Sequence, residues 1–119
     1  MKKIIILLTM AILFAFSCTT RLPRNKINVV DNLNRKQGLW ITSDTFHFIE
    51  VLRYKNGIPK GKYYRYYPKG QIAVYGKYLH GRKQGTWYRY FDDGSLSGTD
   101  TYKQDSIVTR TIITRNYKW

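Results

Sequence analysis

The amino-acid sequence predicts an all-β protein, an antiparallel meander of repeated β-hairpins that forms a single curled sheet. The first observation behind this is an internal repeat with a period of 23–24 residues: residues 35–40 recur as 82–87, and a looser copy lies between them at 58–63. The second is that Val, Ile, Thr, Tyr and Trp, which suit a pleated surface, fill the segments between Gly-containing turns. A fixed period of 20–50 residues indicates stacked supersecondary units.

Each copy begins with a glycine, one variable residue and an aromatic residue. The residues that define this start, and that we interpret as structural, are Gly38, Trp40, Gly61, Tyr63, Gly85 and Trp87. Trp40, Tyr63 and Trp87 are expected to occupy equivalent, largely buried places. Both faces of the predicted strands carry aromatic residues, which favours a thin sheet over a thick sandwich.

The predicted elements follow the repeat in order. In the first copy, 40–42 and 46–54 pair around Ser43-Asp44, which places His47 in an aromatic strand. In the second and third copies, the strands are 62–67 with 71–78 and 86–91 with 95–102, around turns that contain Gly70 and Gly94. Asn56-Gly57 and His80-Gly81 link one hairpin to the next. The β-branched tail, 106–114, is expected to close the sheet, and 27–30 could add a short edge strand.

The chain opens with a predicted export signal. Two lysines precede an uncharged apolar run, 4–16, which is shorter than the roughly 20 residues that a transmembrane helix needs. The run ends in Ala15-Phe16-Ser17-Cys18, which resembles a bacterial lipobox, and Cys18 is the only cysteine. We therefore predict a signal peptide at 1–17, a lipidated N-terminus and tether at 18–33, and a repeat domain at 34–119. The alternative is a chance cysteine in a signal peptide that is cleaved elsewhere.

The charge of the chain is strongly positive. The net charge is +14, and loss of Lys2 and Lys3 with residues 1–17 leaves +12. Such a surface favours an anionic lipid, a glycan or an acidic protein as the partner, with the membrane also contacted through the N-terminal lipid. The other interpretation is a charged surface that only prevents aggregation. Basic residues beside stacked tyrosines are also typical of single-stranded nucleic-acid binding, but an export signal makes that partner improbable.

The repeat positions together resemble the variant MORN repeat of bacterial proteins. The shared pattern is the Gly-x-Trp/Tyr start, the internal glycine turn, and an ending of Tyr-x-x-Gly, seen at 54–57 and 78–81. The third copy has Asp105 where glycine is expected, and the first lacks the internal glycine. The resemblance covers about residues 34–105. It implies a β-hairpin repeat without a catalytic centre, and some relatives are described as antitoxin-like.

Residues for chemistry are sparse. Nucleophilic catalysis and metal binding need clustered bases, thiols or carboxylates, whereas this chain has only His47, His80 and Glu50 apart from Cys18 and the aspartates. His80 takes the turn position that Asn56 fills one copy earlier, and His47 is interpreted as a packed or edge histidine. We expect no catalytic residue, no metal site, no cofactor and no enzymatic activity.

These observations lead to an expected function of binding or scaffolding. The chain is predicted to be an envelope lipoprotein, in the outer membrane if two membranes are present, because Thr19 follows the cysteine rather than the Asp of retained lipoproteins. Tyr and Arg are common at binding hot spots. The predicted binding residues are Lys60, Lys62, Arg65, Lys69, Lys77, Arg82, Lys83 and Arg89. The alternative is an antitoxin-like or immunity module that binds one protein toxin.

Overall fold

The computed structural model describes residues 26–116. The predicted signal peptide, Cys18 and the first part of the predicted tether therefore lie outside the described residues. Within 26–116 the chain forms β-strands and turns and contains no helix, so no helix there is long and apolar enough to cross a membrane. The strands are β1 (Val29–Val30), β2 (Lys36–Ser43), β3 (Ile49–Lys55), β4 (Ile58–Tyr66), β5 (Ile72–Leu79), β6 (Arg82–Lys83), β7 (Gly85–Tyr90), β8 (Leu96–Lys103) and β9 (Ser106–Ile112).

All the strands belong to one antiparallel sheet, which confirms the predicted fold class. Neighbours in the sheet follow chain order from β1 to β5, then β7, β8 and β9, while the short β6 pairs with β5 at the side of this path. The tail pairs with β8 as predicted, but it does not close the sheet: β1 and β9 stand at opposite edges. Every residue of β9 is exposed.

Two kinds of turn alternate along the meander. At one end of the strands, two-residue turns have both residues at positive φ, as a type I′ turn requires: Asn56 and Gly57 (52° and 79°), His80 and Gly81 (50° and 78°), and Gln104 and Asp105 (48° and 68°). Because antiparallel strands reverse direction each time, all three turns lie at the same end of the sheet. We call it the junction end.

From β2 onward, four-residue turns occupy the other end of the sheet; one more, at 31–34, joins β1 to β2 at the junction end. In each, the fourth residue has positive φ and donates its backbone N–H to the first carbonyl: Gly70 to Tyr67 at 2.8 Å and Gly94 to Phe91 at 3.0 Å. His47 does the same to Asp44 at 3.0 Å, with φ 64°. His47 therefore stands in the place of the missing glycine and does not lie in a strand, so that part of the prediction is wrong.

The carboxylate of Asp44 explains why His47 lies in a turn and not in a strand. Its Oδ1 accepts the backbone N–H groups of Phe46 (2.9 Å) and Phe48 (3.0 Å). Asp side chains commonly hold a turn in this way. The strand can resume only after Phe48, and β3 accordingly begins at Ile49.

The apolar core of the sheet is small. Among the described residues, Trp87 (3% exposed), Ala73 and Leu52 are the buried apolar side chains. Trp40 and Tyr63 are half-buried, so the expected equivalence holds for their position in the repeat but not for their burial. Trp40 lies close to the edge of the sheet, where β1 supplies only two residues.

Candidate functional site

The two faces of the sheet carry different side chains. On one face, which we call the Tyr face, direct cross-strand partners form a continuous row: Val51, Tyr64, Tyr75, Tyr88 and Thr99. The ring centroids of Tyr64 and Tyr75 are 5.2 Å apart, and those of Tyr75 and Tyr88 are 6.3 Å apart. Cross-strand pairs of this kind hold neighbouring strands in register. The opposite face, which we call the Trp face, carries Trp40, Tyr63 and Trp87.

Trp87 is the centre of the Trp face. Its ring lies 5.1 Å from Tyr63, 5.3 Å from Tyr78 and 5.8 Å from Tyr102, and its Nε1 donates to the Lys77 carbonyl at 3.3 Å. The indole rests on Gly76, where a Cβ atom would approach Trp87 to 2.0 Å. An aromatic cluster packed on glycine in this way acts as the core of the domain.

Two of the predicted binding arginines are engaged within the sheet. Arg65 forms an ion pair with Asp44 at 2.5 Å and stacks on Phe48 at 4.5 Å. Arg89 lies 3.3 Å from Asp100 and donates to the Thr111 carbonyl at 3.1 Å.

The carboxylate of Asp100 is buried and also receives Arg110 at 2.7 Å. The hydrogen bond from Arg110, together with the charges of both arginines, lowers the pKa of Asp100 despite burial. Arg65 and Arg89 therefore each form an ion pair with an aspartate of the domain.

Lys83 is likewise engaged on the Trp face. Its ammonium lies 4.8 Å from the centroid of Trp87 and 5.1 Å from that of Tyr102. Along the repeat, Lys83 corresponds to Pro59 in the second copy and to Lys36 in the first. The ammonium of Lys36 lies 4.6 Å from the centroid of Trp40 and 4.9 Å from that of Tyr54. A cation over an aromatic ring is stabilising.

The remaining predicted binding residues divide between the two ends of the sheet. Lys69 lies in a four-residue turn, away from the junction end. Arg82 lies at the junction end and reaches Gln104 at 3.5 Å. Lys62 and Lys77 are direct cross-strand partners, and both are exposed. Lys60 lies opposite Arg53 on the neighbouring strand. In the described part of the chain, no ion pair joins Lys60, Lys62 or Lys77 to an acid.

At the junction end, each type I′ turn meets the segment that starts the preceding hairpin unit. In the first junction, Gly57 donates its N–H to the Lys36 carbonyl at 2.9 Å. Gln37 accepts the N–H of Asn56 at 3.0 Å and donates to its side chain at 2.8 Å. We call this arrangement the glutamine clamp.

The third junction has the same clamp. Asp105 donates its N–H to the Lys83 carbonyl at 3.1 Å, and Gln84 accepts the N–H of Gln104 at 3.2 Å. The side chain of Asp105 adds a hydrogen bond from the Lys83 N–H at 2.6 Å.

The middle junction differs from both. Lys60 stands where the other two have glutamine, and an ammonium group has no acceptor for a turn N–H. Among residues 26–116, no hydrogen bond joins Gly81 to Pro59 in the way that Gly57 is joined to Lys36.

Two more residues of the middle junction change from charged to apolar. Ile58 corresponds to Arg35 and Arg82, and Leu79 corresponds to Lys55 and Lys103. Both apolar side chains are more than half exposed, at 53% and 55%.

A groove of about 850 Å³ opens at this junction. Ile58, Pro59, Tyr78 and Leu79 line it, which makes its surface mainly apolar. The charged residues of its lining are all lysines: Lys55, Lys60 and Lys77. Ligand pockets commonly have volumes of about 300–1,000 Å³. We call this feature the junction groove, and it is the candidate functional site.

The histidines lie in turns, and the carboxylates described above hold turns or form ion pairs. His80 has positive φ in its turn, as predicted, and both histidines are exposed. Among residues 26–116, no three His, Cys, Asp or Glu residues lie together in a way that could hold a metal ion.

No protein-family model, curated protein or solved structure matches this chain.

The apolar residues of the groove were not predicted from the sequence. Lys60 and Lys77 were predicted for their charge, whereas residues 58–63 were interpreted only as a looser copy of the repeat. Comparing the three copies position by position reveals the signal, because Ile58 and Leu79 are the members of their series that lack charge.

Proposed function

We propose that this chain is a non-enzymatic binding module of the cell envelope, anchored through lipid at Cys18, which binds an anionic partner at its junction end. The lysines near the junction groove, rather than Arg65 and Arg89, contact the partner.

The observation that carries this proposal is the pair formed by Lys62 and Lys77. Like charges that face each other across two strands are destabilising. The pair is exposed and has no acidic partner in the described residues. A bound anion would relieve the repulsion. By contrast, Asp44 and Asp100 already neutralise the arginines of the Trp face.

The test compares the stability of the domain with its affinity for anions. Lys62→Glu places opposite charges across the strands and should raise the free energy of unfolding by about 0.2–1 kcal/mol. The same substitution should weaken binding to three probes, polyglutamate, heparin and phosphatidylglycerol vesicles, by roughly tenfold, or about 1.4 kcal/mol. A gain in stability that accompanies a loss in binding is the expected signature.

Lys69→Glu is the matched control, since it makes the same change of net charge at the other end of the sheet. It should leave the affinity for the anionic probes nearly unchanged. If Lys62→Glu and Lys69→Glu weakened binding equally, the effect would come from net charge alone, and the junction end would not be the site. Capture of one stoichiometric protein that survives high salt, where surface charges are screened, would favour the antitoxin-like alternative.

A further inference from the structure

We infer that the junction groove binds the aliphatic chain of a small amphiphilic anion, such as an alkyl carboxylate or alkyl phosphate, with Lys60 and Lys77 at the anionic head group. The inference rests on the proposed function and adds to it the chemical class of the ligand.

The apolar lining of the groove distinguishes the middle junction from the outer ones. At two positions where the outer junctions carry Arg or Lys, the middle junction carries Ile58 and Leu79. The outer junctions show that charged side chains are compatible with this backbone. The two aliphatic side chains are nevertheless more than half exposed. They line an open groove, which is the usual form of a small-molecule site.

The charge of the groove selects the kind of amphiphile. Lys55, Lys60 and Lys77 are its charged lining residues, and none of them takes part in an ion pair with an acid in the described part of the chain. An aliphatic cation would be repelled there, whereas a carboxylate or phosphate monoester gains charge-assisted hydrogen bonds.

The middle junction, at which the groove lies, lacks the glutamine clamp. In the outer junctions, a glutamine joins the turn to the preceding segment by hydrogen bonds. At the middle junction, no such bond of Lys60 is found among the described residues, and a Cβ added at the turn residue Gly81 would lie 2.8 Å from the side chain of Ile58. The lysine that stands in place of the glutamine supplies a cation to the groove.

The experiment measures affinity as a function of chain length. Isothermal titration of the repeat-bearing full chain with butyl, hexyl and octyl phosphate, all below their micellar concentrations, keeps the head group constant. Each methylene that enters the groove should tighten binding about two- to fourfold, because a fully buried methylene contributes about 0.8 kcal/mol and 1.4 kcal/mol is tenfold. The alkyl carboxylates of equal length should show the same slope.

The decisive variant gives the middle junction the residues of the outer ones. Ile58→Arg with Leu79→Lys adds positive charge, so it should retain or strengthen binding of the shortest phosphate while it removes the dependence on chain length. Ile107→Lys with Ile112→Arg makes the same kind of change on the exposed strand β9 and should keep the slope. The unfolding transition in urea verifies that both variants are folded.

The outcomes separate this inference from the proposed function. Phosphate binding with a slope of zero in the natural chain would overturn the aliphatic site and leave the anion-binding function intact. Absence of binding at every chain length, together with absence of binding to polyglutamate, heparin and phosphatidylglycerol vesicles, would overturn both. Binding of an acidic peptide with a single leucine, but of no alkyl anion, would assign the groove to a protein partner instead. A dimer that disappears in the Ile58→Arg, Leu79→Lys variant would assign it to a second copy of the chain.

Discussion

At the scale of single residues, the stability of this domain depends on a few side chains that several strands share. Trp87 is the clearest case, because Tyr63, Tyr78 and Tyr102 surround it and each comes from a different strand. Trp40 has the same place in the repeat but contacts fewer rings. Burial, rather than repeat position, should therefore decide what each tryptophan contributes.

Trp87→Ala should lower the free energy of unfolding by about 3–5 kcal/mol, since truncation of a buried tryptophan removes its contacts and leaves a cavity. For a domain of this size that is a large part of the total stability. Urea denaturation followed by circular dichroism measures the loss. Trp40→Ala is the matched control and should have a smaller effect; equal losses would show that the two rings are equally important to the core.

Asp100 makes stability depend on acid pH. Its pKa is lowered in the folded protein, so its contribution is present above the unfolded-state pKa of about 3.9 and is lost as the pH falls through the folded value. Asp100→Asn should be less stable at neutral pH by about 1.5–3 kcal/mol, the range for hydrogen bonds to a charged group. The difference should shrink below about pH 4.

Chemical denaturation from pH 7 to pH 2 follows that difference. Asp92→Asn is the control, because Asp92 is exposed and forms no ion pair within the described residues. The opposite result is that the natural chain and Asp100→Asn differ in free energy of unfolding by the same amount across this pH range. That result would mean that the interaction of Arg89 and Arg110 with residue 100 does not depend on the charge of the carboxylate.

At the scale of elements, the junctions connect one hairpin to the next. The glutamine clamp joins the first and third type I′ turns to the preceding segments, and the middle turn lacks it. The two halves of the sheet are joined by two registered pairs between β5 and β7, Val74 with Arg89 and Tyr75 with Tyr88, and by two more between β5 and the short β6.

Lys60→Gln should therefore restore a clamp at the middle junction and raise the free energy of unfolding by about 0.5–1.5 kcal/mol, the usual net contribution of a hydrogen bond. Gln84→Lys is the reciprocal change and should lower it by a similar amount. Amide hydrogen exchange at His80 and Gln104 reports each clamp locally. If Lys60→Gln left the exchange of His80 unchanged, the clamp would depend on more than the glutamine.

The sequence predicted the elements well where a local signal repeats. Glycine turns and alternating aromatic residues placed the hairpins, and the copies placed equivalent residues in register. The strand boundary near His47 was missed because a carboxylate, not a glycine, fixes that turn. The ion pairs of Arg65 and Arg89 were missed because Asp44 and Asp100 approach them only across the folded sheet.

At the scale of the whole molecule, the sheet is open and one layer thick. Nothing among residues 26–116 covers either face, which explains why so few side chains are buried. The outer edge at β9 carries exposed Ile107, Val108 and Ile112. Association with a membrane through a single lipid is an expectation for residues outside the described part, and it can be tested directly.

Lipid attachment at Cys18 should make the chain incorporate a fatty-acid analogue during growth. Cys18→Ala should lose that label and move the protein from the membrane fraction to the soluble fraction. Cys18→Ser is a second variant that differs by one atom and should behave in the same way. Label that persisted in either variant would contradict the proposed anchor.

The alternation of the two turn types determines how such a chain can lengthen or shorten. Because every unit starts and ends at the junction end, a segment of 24 residues, 58–81, can be excised so that Gly57 is followed by Arg82. The shortened chain would read Asn-Gly-Arg-Lys-Gln at that point, a turn followed by a segment of the outer type. Gene duplication or deletion in steps of one unit thus changes the length of the sheet without disturbing its strand register, and the middle unit is free to diverge while its neighbours preserve the fold.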